Sequence, residues 1–208
     1  DPNPVVAGRG IRLLREKGLE VVAGVLRGEC ERQNEVFFHF MRTKLPFTVL
    51  KYAMTLDGKT ATVLGKSQWI TGEAARKRVH EDRGRYMAIL TGVSTVLADN
   101  PQLTCRIPGG KNPIRVIADT KLRTPLSSTV VQTARETPTW IVTAVSDAGR
   151  KKAYEDAGCR VLSVPAKEGE LDLQAMMQRL GEEKVDSVMV ESGGTLAWSF
   201  LKAGLVNR

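Results

Sequence analysis

Apolar positions recur along this chain in two rhythms, one helical and one of short continuous runs. After Gly10, residues Ile11, Leu13 and Leu14 share a helical face until Gly18 stops the pattern, and the β-rich run at 21–26 follows. This is a helix-strand unit without a start. Residues 29–41 form a second helical pattern that Lys44-Leu45-Pro46 breaks, and the break divides the chain into segments 1–44 and 45–208. Beyond it, 47–54 reads as a buried strand, and Leu56-Asp57-Gly58-Lys59 is turn chemistry leading into Thr60-Ala61-Thr62-Val63. Thr71-Gly72-Glu73 opens a helix through Arg76, Val79 and Arg83. Further strands are predicted at 87–91, 114–118, 140–143, 160–164 and 187–191, with helices at 147–157 and 171–180. Strands alternating with helices predict an α/β fold whose mostly parallel central sheet is covered on both faces. The closing residues Leu205-Val206-Asn207-Arg208 follow directly on a helix, where such a sheet ordinarily takes another strand, so truncation at both ends is expected.

Composition narrows the picture without changing it. Hydrophobic residues at 42% and charged residues at 26% describe a folded rather than a disordered chain, and 5% aromatics predict an aliphatic core. The formal net charge of +8 favours an anionic partner. Lys and Arg are scattered and no RNP-type motif interleaves them with aromatics, which argues against nucleic acid. Cys30, Cys105 and Cys159 are far apart, with no CxxC, so no zinc site is expected and the thiols read as reduced ones in a cytoplasmic protein. No apolar run approaches the roughly 20 residues that span a bilayer, and Asp1-Pro2-Asn3-Pro4 is not signal-peptide chemistry.

The main chemical signal is Ser187-Val188-Met189-Val190-Glu191-Ser192-Gly193-Gly194-Thr195-Leu196, an apolar strand that runs through paired glycines into a helix. Such a junction brings free backbone N–H groups and the positive end of the helix dipole to a phosphate. Two readings stand level here, a phosphate site and a tight turn that merely needs glycine. The stretch 91–106, containing Thr95, Asp99, Leu103 and Arg106, offers a second cradle, though a capped helix and loop is its ordinary explanation. Arg83 and Arg106 are candidate phosphate clamps, because a guanidinium fork matches phosphate oxygens. Trp69, between Ser67 and Thr71, is suited to packing on a flat ring or in a core. His39 and His80 lack the setting of a catalytic triad. GxSxG, HExxH and Walker motifs are absent, which argues against the common hydrolases and nucleotide triphosphatases.

Four blocks in order, Lys51-Tyr52-Ala53-Met54-Thr55-Leu56-Asp57-Gly58-Lys59-Thr60-Ala61, Ser67-Gln68-Trp69-Ile70-Thr71-Gly72, Gly92-Val93-Ser94-Thr95-Val96-Leu97-Ala98-Asp99-Asn100-Pro101 and Glu191-Ser192-Gly193-Gly194-Thr195-Leu196, resemble the bacterial riboflavin-biosynthesis deaminase-reductase family. The opening, Asp1 through Gly10, resembles the end of that family's deaminase domain. The resemblance implies a dihydrofolate-reductase-like domain at 45–208, preceded at 1–44 by a helix-strand remnant of a cytidine-deaminase-like domain. It implies reduction of the ribosyl group of 5-amino-6-(5-phosphoribosylamino)uracil to a ribityl group, with NADPH as cofactor, in a homo-oligomer that needs neither nucleic acid nor membrane. Carried over by position, it assigns Ala53, Trp69, Thr95, Asp99, Thr120, Gly193, Gly194, Thr195, Leu196, Ala197, Trp198 and Ser199 to the cofactor. Ser67, Arg83, Leu103, Arg106 and Glu191 go to the phosphorylated ribosylamino-pyrimidine substrate, and Lys51 and Glu191 are the candidate catalytic residues. The family's HxE and PCxxC zinc segments do not occur here, so zinc and deamination belong to a part this sequence lacks. Asn100 replaces a common aspartate and Ser192 a common glycine, and the family's domain continues with further strands. A related pyrimidine or pterin reductase, a non-catalytic nucleotide-binding remnant and a basic nucleic-acid-binding module are the competing readings.

Overall fold

In the computed structural model, which describes residues 1–65, 67 and 69–208, the six strand runs read from the sequence lie side by side in one sheet. Gln68, part of the second sequence block above, lies outside the described residues. In chain order the elements are α1 (Arg9–Glu16), α2 (Arg27–Gln33), α3 (Glu35–Thr43), β1 (Phe47–Lys51), α4 (Glu73–Arg85), β2 (Ala88–Gly92), α5 (Val93–Asp99), β3 (Ile114–Ala118), α6 (Thr129–Gln132) and β4 (Thr139–Thr143). They continue with α7 (Ala148–Asp156), β5 (Arg160–Ser163), β6 (Ala166–Lys167), β7 (Glu170–Leu171), α8 (Leu173–Glu182), β8 (Ser187–Glu191) and α9 (Gly194–Lys202). The sheet order is β1-β8-β2-β3-β4-β5, and every pairing in it is parallel. The α/β, dihydrofolate-reductase-like architecture expected from the sequence is the one found.

Apolar side chains on both faces of the strands explain why these runs read as continuous rather than alternating. Leu90, Val116, Val142, Val188 and Val190 point to one side, where Met176, Met177 and Leu180 of α8 and Phe200 of α9 cover them. Ile89, Ile117, Ile141 and Met189 point to the other, against Val96 of α5, Val130 and Val131 of α6 and Tyr154 of α7. Gly181 lets α8 lie directly on the backbone at the 44–45 break, since a Cβ there would collide with the Lys44 carbonyl oxygen. The β6–β7 hairpin, with two residues in each strand, was not predicted.

Two expectations for the first segment need correction. Residues 21–26 form no strand. Val22, Val25 and Leu26 are exposed, and β propensity alone does not hold a strand that has no partner. The single helix expected at 29–41 is two, broken at Asn34, whose φ of −110° leaves the helical region. Helix α3 meets the sheet domain through an edge-on contact of His39 with Phe47 and an ion pair of Glu35 with Arg208 at 2.9 Å. At the other end of the chain, the Arg208 N–H donates to Thr48 O and the Leu50 N–H to Arg208 O, so this residue lies parallel along the outer edge of β1. Among the described residues no helix is long and apolar enough to cross a membrane.

Candidate functional site

Strand order decides which side chains meet. Because β8 inserts between β1 and β2, Lys51 and Glu191 stand in register at the carboxyl ends of neighbouring strands, the end at which open α/β sheets place their ligands. Lys51 Nζ lies 3.4 Å from Glu191 Oε1. From α4, Arg83 reaches the same carboxylate with Nε at 3.1 Å from Oε2 and Nη2 at 2.9 Å from both oxygens, while its Nη1 donates to Thr104 O at 3.0 Å. The Arg83 side chain is 10% exposed and that of Glu191 18%, so this two-pronged pair is largely shielded from water.

The trio lines a cleft of about 1410 Å³. Gly193 and Gly194, at the start of α9, line it. Gly193 has a φ of −66°, Gly194 is not among the positive-φ glycines, and a Cβ on either would meet no protein atom within 4 Å. Neither backbone conformation nor protein packing therefore requires glycine at this turn. What glycine leaves open is cleft space over the first N–H groups of a helix, the geometry that suits a phosphate. Trp69 and Trp198 line the same cleft at 70% and 65% exposure rather than filling a core. The Arg76 guanidinium sits 4.6 Å over the Trp69 ring, and its Nη1 donates to Thr71 O at 2.7 Å.

The cleft gathers Lys51, Ala53, Ser67, Trp69, Arg83, Thr95, Asp99, Arg106, Glu191, Gly193, Gly194, Ala197 and Trp198 from the residues singled out in the sequence. It does not gather Leu103, Thr120, Thr195, Leu196 or Ser199. Leu103 is buried in the core with a φ of 54°, Leu196 packs against the opposite core face, and the Ser199 hydroxyl turns back to Thr195 O at 3.0 Å. Thr120 instead meets Glu170 of the β7 strand at 3.3 Å. Asn100 ends α5 at a φ of 40°, which asparagine tolerates, and its Oδ1 accepts from the Thr129 N–H at 2.8 Å.

The two arginine candidates differ. Arg83 is committed to Glu191 and Thr104, whereas the exposed Arg106 guanidinium has no hydrogen bond or ion pair among the described residues. Sequence reasoning passed over Arg76, Lys77 and His80, which also line the cleft. The signal was present, since positions 76, 80 and 83 recur at helical spacing and share one face of α4. Burial, followed by the nearby charges of Arg83 and Arg106, holds the His80 imidazole below its usual pKa.

A fully parallel α/β sheet with a cationic, glycine-floored cleft at its carboxyl edge is the arrangement in which open α/β domains ordinarily hold nucleotide ligands. The sequence model of the RibD C-terminal domain matches residues 46–208, and the chain belongs to that family. It is 50% identical over 208 residues to the riboflavin biosynthesis protein RibD of Actinobacillus pleuropneumoniae, a match covering 100% of this chain and 55% of that protein. Among solved structures it resembles the diaminohydroxyphosphoribosylaminopyrimidine deaminase/5-amino-6-(5-phosphoribosylamino)uracil reductase of Thermotoga maritima, with a TM-score of 0.80, 38% identity and coverage of 98% of this chain and 54% of that one. It also resembles Acinetobacter baumannii RibD, with a TM-score of 0.82, 33% identity and coverage of 99% and 56%. The chain thus spans about half the length of the curated relatives it matches.

Proposed function

We propose that residues 45–208 form an NADPH-dependent reductase domain that converts the ribosyl group of 5-amino-6-(5-phosphoribosylamino)uracil to a ribityl group, and that residues 1–44 close a preceding deaminase-like domain. The observation that carries this reading is the Lys51–Glu191–Arg83 cluster, set at the same strand ends as a glycine turn whose missing side chains leave room for a phosphate. Family membership and the reductase named in the Thermotoga maritima relative support it. We assign the deaminase that the Thermotoga maritima relative also names, and any zinc it needs, to the length of those relatives this chain does not cover, and the free thiols suit a cytoplasmic enzyme.

Reduced nicotinamide, when bound, supplies the hydride for the sugar's first carbon. The chain's own residues supply the rest. The Gly193 and Gly194 backbone holds a dinucleotide phosphate, Trp69 and Trp198 offer flat surfaces for rings, and Arg106 takes the substrate phosphate. Glu191 orients sugar hydroxyls while Arg83 fixes its carboxylate. Lys51, beside it, is placed to deliver the proton that must accompany the hydride.

A Gly193→Val substitution tests the glycine turn with little risk to the fold, because the added carbons project into cleft space. The expected result is an NADPH Kd raised by about tenfold or more, with an unchanged melting temperature. Unaltered NADPH affinity would count against the phosphate site.

A further inference from the structure

Three consecutive residues of the loop after α5 are tied to one face of α4. Arg83 Nη1 donates to Thr104 O at 3.0 Å, Cys105 Sγ to His80 O at 3.2 Å, and the Arg106 N–H to His80 Nδ1 at 3.3 Å. Asn112 Oδ1 holds the Cys105 N–H from the far side at 3.0 Å. The Arg106 guanidinium has no partner of its own among the described residues, so nothing but its backbone directs it into the cleft. That backbone is fixed at the residue itself by the imidazole.

We propose that His80 is a positioning residue for Arg106. The neutral ring accepts the Arg106 N–H at Nδ1, carries its proton on Nε2, and thereby holds the guanidinium where the substrate's phosphate binds. The charged and titratable groups about the ring are Arg83 on its own helix, Arg106 and Cys105 on the loop, and Glu191 on β8. Burial, and after it the two guanidinium charges, disfavours a protonated ring, which favours the form whose Nδ1 can accept. The proposal rests on the reading of Arg106 as the phosphate holder. It adds that substrate affinity also depends on a hydrogen bond made to the Arg106 backbone, one step removed from the phosphate.

The test compares His80→Leu, His80→Asn, Arg106→Ala and the His80→Leu/Arg106→Ala pair in the full-length enzyme, with kcat, substrate KM and NADPH KM measured for each. Leucine favours the helix but cannot accept the N–H, whereas asparagine is the poorer helix former and places an oxygen near the Nδ1 position. Arg106→Ala is expected to raise substrate KM by about 10- to 100-fold, and His80→Leu by about three- to tenfold, with kcat and NADPH KM within about twofold. His80→Asn should restore most of the lost affinity. In the Arg106→Ala background, adding His80→Leu should change substrate KM no further. If Arg106→Ala leaves substrate KM alone, the phosphate reading itself fails. If Arg106→Ala raises it but His80→Leu does not, or if the two effects multiply in full, or if asparagine behaves like leucine, the positioning role is wrong while the phosphate reading stands.

Discussion

Replacing Glu191 with glutamine is expected to lower kcat/KM for the ribosylamino substrate by about 100-fold or more, or about 2.7 kcal/mol of transition-state stabilisation. The side chain keeps its size and one acceptor oxygen, so the loss isolates the charge. In the wild type one carboxylate is shared by Lys51 at 3.4 Å and by the Arg83 fork at 2.9 Å. With the charge gone, two cations face each other across a neutral amide. Arg83, only 10% exposed, is left without its counter-charge. Removing one partner of a buried pair costs more than the pair contributes, and with both groups partly screened here the stability loss should be about 1–3 kcal/mol. Lys51 loses the carboxylate that its ammonium faces at 3.4 Å. Activity within about threefold of wild type would remove Glu191 from the catalytic machinery.

The largest effect on stability is expected at Arg115, which no functional argument singles out. Its side chain is 1% exposed on β3 and donates to the Gln102, Val130, Thr133 and Thr137 carbonyls and to the Thr133 and Thr139 hydroxyls, at 2.8 to 3.2 Å. Burial pulls the guanidinium down to about 10, which still leaves it charged at neutral pH. Arg115→Met retains much of the volume but strands buried acceptors. The cost is expected to be about 3–5 kcal/mol, a large part of the roughly 5–15 kcal/mol by which a domain is ordinarily stable. Lysine is no substitute, having three donors where the fork has five. A urea midpoint that moves by less than about 1 kcal/mol equivalent would show that water takes over the acceptors. Through Gln102 the same side chain also secures the loop that carries Arg106.

What was legible in the sequence follows from how each element is held. The six strands could be read because a sheet covered on both faces writes unbroken apolar runs, and α4 because Gly72-Glu73 opens it after a loop. The run at 21–26 carries the same β-rich letters and yet forms no strand, since letters record propensity and not the presence of a neighbour. Asn34, where the predicted second helix divides, sits between Gln33 and Glu35, ordinary helix formers that give no sign of the break. In the site, the glycine turn and Arg106 were visible as local chemistry. Arg83 was visible as a cation, but its partner was not. Glu191 lies 108 residues further along and reaches it only because β8 enters the sheet between β1 and β2. His80 was missed for a related reason, since its imidazole acquires a role when the chain returns 26 residues later to present the Arg106 N–H. Leu103 shows the opposite limit, because a position carried over by resemblance does not say that the side chain faces the cleft, and here it lies in the core.

On the proposed function, one cleft at the carboxyl edge of the sheet brings a reduced nicotinamide dinucleotide and a phosphorylated sugar together for reduction. Following the reduced-nicotinamide absorbance of the full-length protein with NADPH, and then adding 5-amino-6-(5-phosphoribosylamino)uracil or dihydrofolate in separate runs, tests it most directly. Absorbance is expected to fall with the ribosylamino substrate, saturably and with a ribitylamino product, and to hold steady with dihydrofolate. Saturable NADPH binding without substrate-dependent oxidation, or oxidation driven by dihydrofolate alone, would contradict it.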